Sequence, residues 1–354
     1  MKAKFIVAFL SVLFFSSSYA TLEQCYKNGA NNDYEKVLES CKPYNKTDAG
    51  ATGLLAKAYI QLDENDESAL NDALWVVDFY KKNGITAHDK KSYAYLLYVV
   101  GDLYYFGSND IRVNQEKGLK YIIGAAKLGY AIAQNQLGNF YVRAGGVPTP
   151  NFAKAYKWYK LAIANGSLEA RSAFLINNEQ SFIEKYPYCI SQGKTFIGDA
   201  FFIGEGDLPK NINEALKWYK NAYKIDHISP VEVGLAKAYI AKGNIKLAKE
   251  YAHEAIEQPY ASAFVVAAEL SDSNLDKYAY LSQAVELFKT PALNFWNKFN
   301  AYCRPDLSDN GLKYAQAELS KLKLSQEELT QANKKVKDFQ NHWQKVPTNN
   351  SSYK

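Results

Sequence analysis

Along residues 96–258 apolar side chains recur every three or four positions, in segments about a dozen residues long that come in pairs. Ala131 to Val142 is one such segment, ending before Gly145-Gly146. Val147-Pro148-Thr149-Pro150 reads as a loop. Asn151 can cap a second helix, predicted from Phe152 to Ala164 and stopped by Asn165-Gly166. The stretch from Gln192 repeats the plan: a helix to Phe202, a loop at Gly204-Glu205-Gly206, a cap at Asn211 or Asn213, and a helix to about Lys224.

Two short patterns alternate through these pairs. The first sets a small residue three positions before an aromatic: Gly101 and Tyr104, Gly138 and Tyr141, Gly198 and Phe201, with alanine for glycine at Ala56 and Ala236. The second carries Gly118, then Ala155 with Trp158 and Tyr159, then Ala215 with Trp218 and Tyr219. Gly101 and Gly138 lie 37 positions apart, as do Gly118 and Ala155, whereas Gly138 and Gly198 are 60 apart. An insertion of roughly twenty residues, about Ser167 to Tyr188, therefore interrupts the register. A period near 37 with two helical segments per unit predicts an all-α fold, a solenoid of stacked antiparallel helical hairpins, because one hairpin cannot bury its apolar face alone. The small residue would let two helix backbones approach, and the aromatic would fill the space between adjacent hairpins.

The order and spacing of Leu137-Gly138, Tyr141, Gly145-Gly146-Val147, Lys154-Ala155, Trp158-Tyr159, Ala162 and Gly166 resembles the Sel1-like repeat family, a relative of the tetratricopeptide repeats. The solenoid is expected over 51–258, with its best units at 96–130, 131–166, 192–226 and 232–258. The residues that carry the likeness are Gly101, Tyr104, Gly118, Gly138, Tyr141, Gly145, Ala155, Trp158, Tyr159, Gly198, Gly206, Ala215, Trp218 and Tyr219, each in a structural role. The resemblance implies a non-catalytic scaffold that meets envelope or host proteins through its repeat surface or its C-terminal helices. In exported bacterial members it implies a part in host-cell interaction and intracellular growth. The rival reading is an envelope enzyme acting on peptidoglycan or β-lactams, with Glu205 and Asp207 as its acidic pair.

The flanks add an address and two caps. Lys2 and Lys4 precede an apolar run from Phe5 to Phe15, and small residues stand at Ser18 and Ala20. Residues 1–20 thus read as a secretory signal peptide, too short in its apolar part to span a bilayer. The exported chain is expected in the periplasm or at the outer membrane, with surface exposure or peripheral membrane association open to it. Residues 21–50 are read as an N-terminal helical hairpin and 259–306 as further helical pairs. Residues 307–346 are read as a helical hairpin or coiled coil, and 347–354 as a disordered tail. Ser325 with Glu328 forms a capping box, which favours a helix start there over one continuous coil.

Four cysteines in an oxidising compartment suggest disulfides. Cys25 and Cys41 flank a turn and are expected to pair. Cys189 and Cys303 are about three repeats apart, beyond the reach of nearest-neighbour stacking, and are expected as two free, buried thiols.

Composition narrows the chemistry. Removing Lys2 and Lys4 leaves 40 cationic against 37 acidic residues, too even a balance to call for nucleic acid. His88, His227, His253 and His342 are scattered without ligand spacing. No catalytic, cofactor-binding or metal-ligating residue is therefore expected. The 28 tyrosines are read mainly as repeat packing residues.

Overall fold

The structure is a computed structural model, and it describes residues 20–143, 150–173, 176, 178–205, 208–290, 303 and 311–345. All regular elements among these residues are helical. The chain divides into two compact units, residues 1–86 with 107–112 and residues 87–106 with 113–354. The boundary falls inside the stretch 51–258 that the sequence reads as one solenoid.

The first unit holds α1 (Leu22–Ala30), α2 (Tyr34–Cys41), α3 (Ala49–Leu62) and α4 (Asp66–Asn83). Cys25 and Cys41 are bonded, with their Cα atoms 4.9 Å apart. Both are buried with Val37, Ala51, Leu55 and Ala58. By chain-entropy reckoning a loop of this length contributes about 3 kcal/mol, which matters for a hairpin of two short helices.

The second unit is a series of hairpins. Its pairs are α5 (Lys90–Phe106) with α6 (Gln115–Lys127), and α7 (Ala131–Arg143) with α8 (Phe152–Ala164). After α9 (Glu179–Lys185) come α10 (Pro187–Ile203) with α11 (Ile212–Tyr223), α12 (Ser229–Ala241) with α13 (Ile245–Ala255), and α14 (Ala261–Leu270) with α15 (Asn274–Lys289). Four of these five second helices start the same way, and the fifth, α15, is capped by Ser273. An asparagine side chain accepts from the backbone two or three residues on, as at Asn114, Asn151, Asn211 and Asn244. The backbone N–H of that asparagine donates to a carbonyl of the preceding helix: Asn114 to Tyr104, Asn151 to Tyr141, Asn211 to Phe201, and Asn244 to Tyr239. The sequence pattern therefore encodes the hairpin turn as well as its packing.

The small residues do two different jobs. In the first repeat Gly101 and Gly118 bring backbones together, since a Cβ on Gly118 would stand 2.6 Å from the Tyr105 nitrogen. In the next two repeats alanine replaces Gly118, and a tyrosine ring occupies the space instead. A Cβ on Gly138 would strike the Tyr159 ring, and one on Gly198 the Tyr219 ring. These aromatics thus fill space inside their own hairpin, not only between hairpins as the pattern suggests.

Polar side chains close the helix ends. Gln134 donates to the Ala126 carbonyl, Ser191 to Ala222, and Ser229 to Ala255. Each engages a carbonyl in the last turn of a helix, where those of Ala126 and Ala222 also accept from backbone N–H groups just past the helix end.

The expectation of free thiols at Cys189 and Cys303 is corrected. The two are bonded, with Cα atoms 5.0 Å apart, and both are fully buried beside Tyr188, Ala215 and Tyr219. Nearest-neighbour reasoning fails because the chain after α15 returns to the start of α10 at Cys303. The last two helices, α16 (Leu312–Lys321) and α17 (Gln326–Lys345), both pack chiefly on α15 and not on each other. Ser325 and Glu328 form the reciprocal capping box that starts α17. Phe339 and Trp343 reach Phe264 with ring centroids 5.3 and 5.6 Å apart.

Candidate groove at the broken register

The insertion creates the main irregularity of the second unit. α10 packs on α12, and α12 on α14, whereas no comparable packing joins α5 to α7 or α7 to α10, and α10 meets the second Sel1-like hairpin through α8. The described residues of the insertion include a short 3-10 turn (Glu169–Ser172) and α9. Beside them lies a groove of about 550 Å³. Val142, Phe152, Ala173 and Phe182 supply its apolar lining, while Asn135, Asn139, Arg143 and Glu169 supply polar groups.

An ionic clamp fixes the insertion. Glu179, the first residue of α9, pairs with Lys160 of α8 at 2.7 Å and Lys194 of α10 at 2.9 Å. It also accepts from the Tyr156 hydroxyl at 2.8 Å. Burial alone would raise this carboxyl, yet the lysines and the tyrosine outweigh it and hold it at about 2. Nearby, Lys157 pairs with Glu205 at 2.5 Å across the end of α10. Sequence reasoning missed Glu179. The available signal was Lys154, Lys157 and Lys160, three cations at three-residue spacing on one helix.

Within the groove Tyr159 is set by α8 and donates to Asn139 Oδ1 at 2.9 Å. Burial pushes its phenol up to about 12, against the pull of Arg143, so it stays protonated at neutral pH. Tyr219 makes the equivalent bond to Asp199 at 2.8 Å, but its other face meets Gly234 of α12. The groove opens where the insertion adjoins the repeat tyrosine, whose buried side shares a core cluster with Ile190 and Ile197 of α10.

The remaining sequence-predicted residues fall into place around this frame. Gly101, Ala155, Trp158, Gly198 and Ala215 are buried in the hairpins, and Tyr104, Tyr141 and Trp218 are partly buried. Lys117 stands 3.8 Å over the Tyr104 ring, and Lys154 lies over Tyr141. Gly145, Gly206 and Asp207 lie outside the described residues, so only Glu205 of the acidic pair is placed, in its ion pair with Lys157. His227 stacks on Tyr223, and His342 pairs with Glu257 at 2.8 Å. Among the described residues no group of three histidine, cysteine or acidic side chains is placed to hold a metal ion, and no helix is long and apolar enough to cross a membrane.

Residues 94–130, 131–167 and 192–227 each match the Sel1 repeat. The chain carries three Sel1 repeats. The matched units are the hairpins α5–α6, α7–α8 and α10–α11, so the 167–186 segment falls between the second and third Sel1 repeats. Among solved structures, a Sel1 repeat protein from Oxalobacter formigenes is 13% identical, with 84% of this chain and 100% of that chain covered and a TM-score of 0.32. The protein c5321, described as a protective antigen present in uropathogenic Escherichia coli strains and displaying an SLR fold, is 14% identical. There the coverage is 92% of this chain and 97% of that one, with a TM-score of 0.29. No curated protein sequence matches the chain.

Proposed function

We propose that this Sel1 repeat chain is an exported, non-catalytic scaffold that holds a protein partner in the bacterial envelope. The observation that carries the reading is the groove beside Tyr159, where an apolar lining meets the polar side chains of Asn135, Asn139 and Arg143 on stacked hairpins. Export is supported by the signal-like residues 1–20 and by two buried disulfides, which persist in oxidising compartments. The resemblance to exported Sel1-like proteins extends the proposal to host-cell interaction and intracellular growth, at the periplasmic or surface side of the outer membrane.

The test is a photo-crosslinking residue at Asn135, an edge of the groove, in intact cells. One discrete envelope protein should be trapped there, and a crosslinker at exposed Lys217 on α11 should not trap it. Equal labelling from both positions, or none from either, would remove the scaffold reading. Protease shaving of the same cells then separates periplasmic from surface-exposed placement. A strain carrying a chain that cannot bind through the groove should grow poorly inside host cells.

A further inference from the structure

The four cysteines pair in the order in which they occur. The first bonds to the second, Cys25 to Cys41, and the third to the fourth, Cys189 to Cys303. Four cysteines allow three complete pairings, and only this one joins neighbours along the chain. Neither bond crosses between the two compact units, since residues 25 and 41 belong to the first and residues 189 and 303 to the second.

Burial fixes when the bonds can form. All four cysteines are fully buried, so an oxidant cannot reach them once the helices have packed. The thiols are therefore oxidised while the chain is still open. In an open chain the chance that two residues meet falls as about the three-halves power of their separation. Cys25 is 16 positions from Cys41. Cys41 is 148 positions from Cys189, which makes that mispairing about thirtyfold rarer than the native closure. Once the first bond has closed, Cys189 and Cys303 have only each other. On these weights the two native pairs account for about nine-tenths of first closures. Export from the N-terminus sharpens the bias, because Cys25 and Cys41 cross the membrane well before Cys189 and Cys303.

We propose that the exported chain is a substrate of an envelope dithiol oxidase and needs no disulfide isomerase, an inference that rests on the export reading above. In each closure one cysteine thiolate attacks the oxidase's catalytic disulfide and forms a mixed disulfide with it. The second cysteine thiolate attacks the chain's own sulfur in that bond and displaces the oxidase as a dithiol. Two thiols of the chain lose two electrons and two protons, and the oxidase disulfide gains them. The Cys25–Cys41 bond is then a guard as well as a staple. By closing early it removes the two thiols that would compete for Cys189 and Cys303.

The experiment takes the full exported chain, unfolded and reduced, and refolds it with a purified dithiol oxidase in its disulfide form, with and without an isomerase. Free thiols are blocked at intervals and the pairs are mapped without reduction. Cys25–Cys41 should form first, mispaired chains should stay near one in ten, and the isomerase should change the native yield by no more than about a tenth. Cys41→Ser leaves Cys25 as a third thiol, 164 positions from Cys189 against 114 for the native pair. Mispairing should then rise about fivefold, to nearly half, and the isomerase should restore the native bond. The double variant Cys25→Ser with Cys41→Ser lacks the staple and the competing thiol alike, and it should close Cys189–Cys303 cleanly. An isomerase that raises the wild-type yield twofold or more, Cys189–Cys303 closing first, or the same native yield in the single and double variants would each overturn the proposal. Clean pairing in the tube with four free thiols in the cell would instead strike the export reading, and the envelope oxidase with it. Isomerase-dependent pairing of a chain that is exported and oxidised in cells would leave export standing and remove this proposal.

Discussion

Tyr159 and Tyr219 occupy the same repeat position. Each lies against a glycine of its own hairpin, and each donates to the residue after that glycine. Only Tyr219 has a second glycine, Gly234 of the next hairpin, against its other face. Tyr159 instead adjoins the insertion and opens onto the groove. One repeat signature thus lies either against a glycine of the next hairpin or beside a groove, depending on what the chain places next. The groove arises here from the insertion, with no change to the repeat itself.

The largest test of that contrast is covalent. The Cys189–Cys303 bond lies in the core that holds Tyr219. Cys303→Ser is expected to cost about 4 to 5 kcal/mol by chain-entropy reckoning for a loop of this length. Amide hydrogen exchange should locate the loss in α10–α13, with α5–α7 little changed; uniform loss would dissolve the distinction.

Overpacking comes next. Gly198→Ala pushes on a ring that Gly234 confines, whereas Gly138→Ala pushes on one that can yield toward the groove. The expected costs are about 3 and about 1 kcal/mol, the two ends of the usual range, read by urea denaturation. Equal costs would mean that the groove gives Tyr159 no room.

The two sides should also respond to pH in opposite senses. Glu179, in the insertion, has its folded carboxyl at about 2 against about 4.3 unfolded. Its contribution is present above pH 4.3 and is lost as pH falls toward 2, on the order of 2 kcal/mol. Glu232, on the helix that covers Tyr219, is buried, with Oε2 unpartnered among the described residues. Burial first, then Glu254, Asp226 and Glu257, push its carboxyl up to about 8. The fold holds that proton, so its contribution is complete below pH 4.3 and is lost as pH rises through 8. Glu232→Gln should therefore stabilise the chain at pH 8 by on the order of 1 to 3 kcal/mol and flatten the alkaline limb of a melting-temperature profile.

The smallest effect is at the hydroxyls. Tyr219→Phe should cost about 1 kcal/mol and Tyr159→Phe about half that, because the acceptor is a carboxylate in one case and an amide in the other. A larger loss at Tyr159 would show that its bond to Asn139 organises more than the groove edge.

Much of the fold was legible because its determinants are local. The glycine and aromatic spacing, the caps at Asn151 and Asn211, and the Ser325–Glu328 box all act within one turn or one hairpin. The groove was not legible, since it depends on how residues 167–186 fold back, and Ser172 and Phe182 belong to no repeat pattern. Glu179 was hidden for the same reason: its partners lie 15 to 23 positions away on two other helices. The Cys189–Cys303 bond joins residues 114 positions apart, and no periodicity reports a contact at that range.

That bond changes how the molecule would bear a load. Pulled from its two ends, the chain would carry tension from residue 189 directly to residue 303 through sulfur. The helices between would feel none of it, and roughly 400 Å of extensible backbone would stay slack inside the covalent ring. A chain pulled in this way would therefore yield outside the ring, in the hairpins before residue 189 or in α16 and α17. The third Sel1 repeat lies within the sheltered span, whereas the groove on α7 and α8 sits just outside it, on the part of the chain that tension would reach.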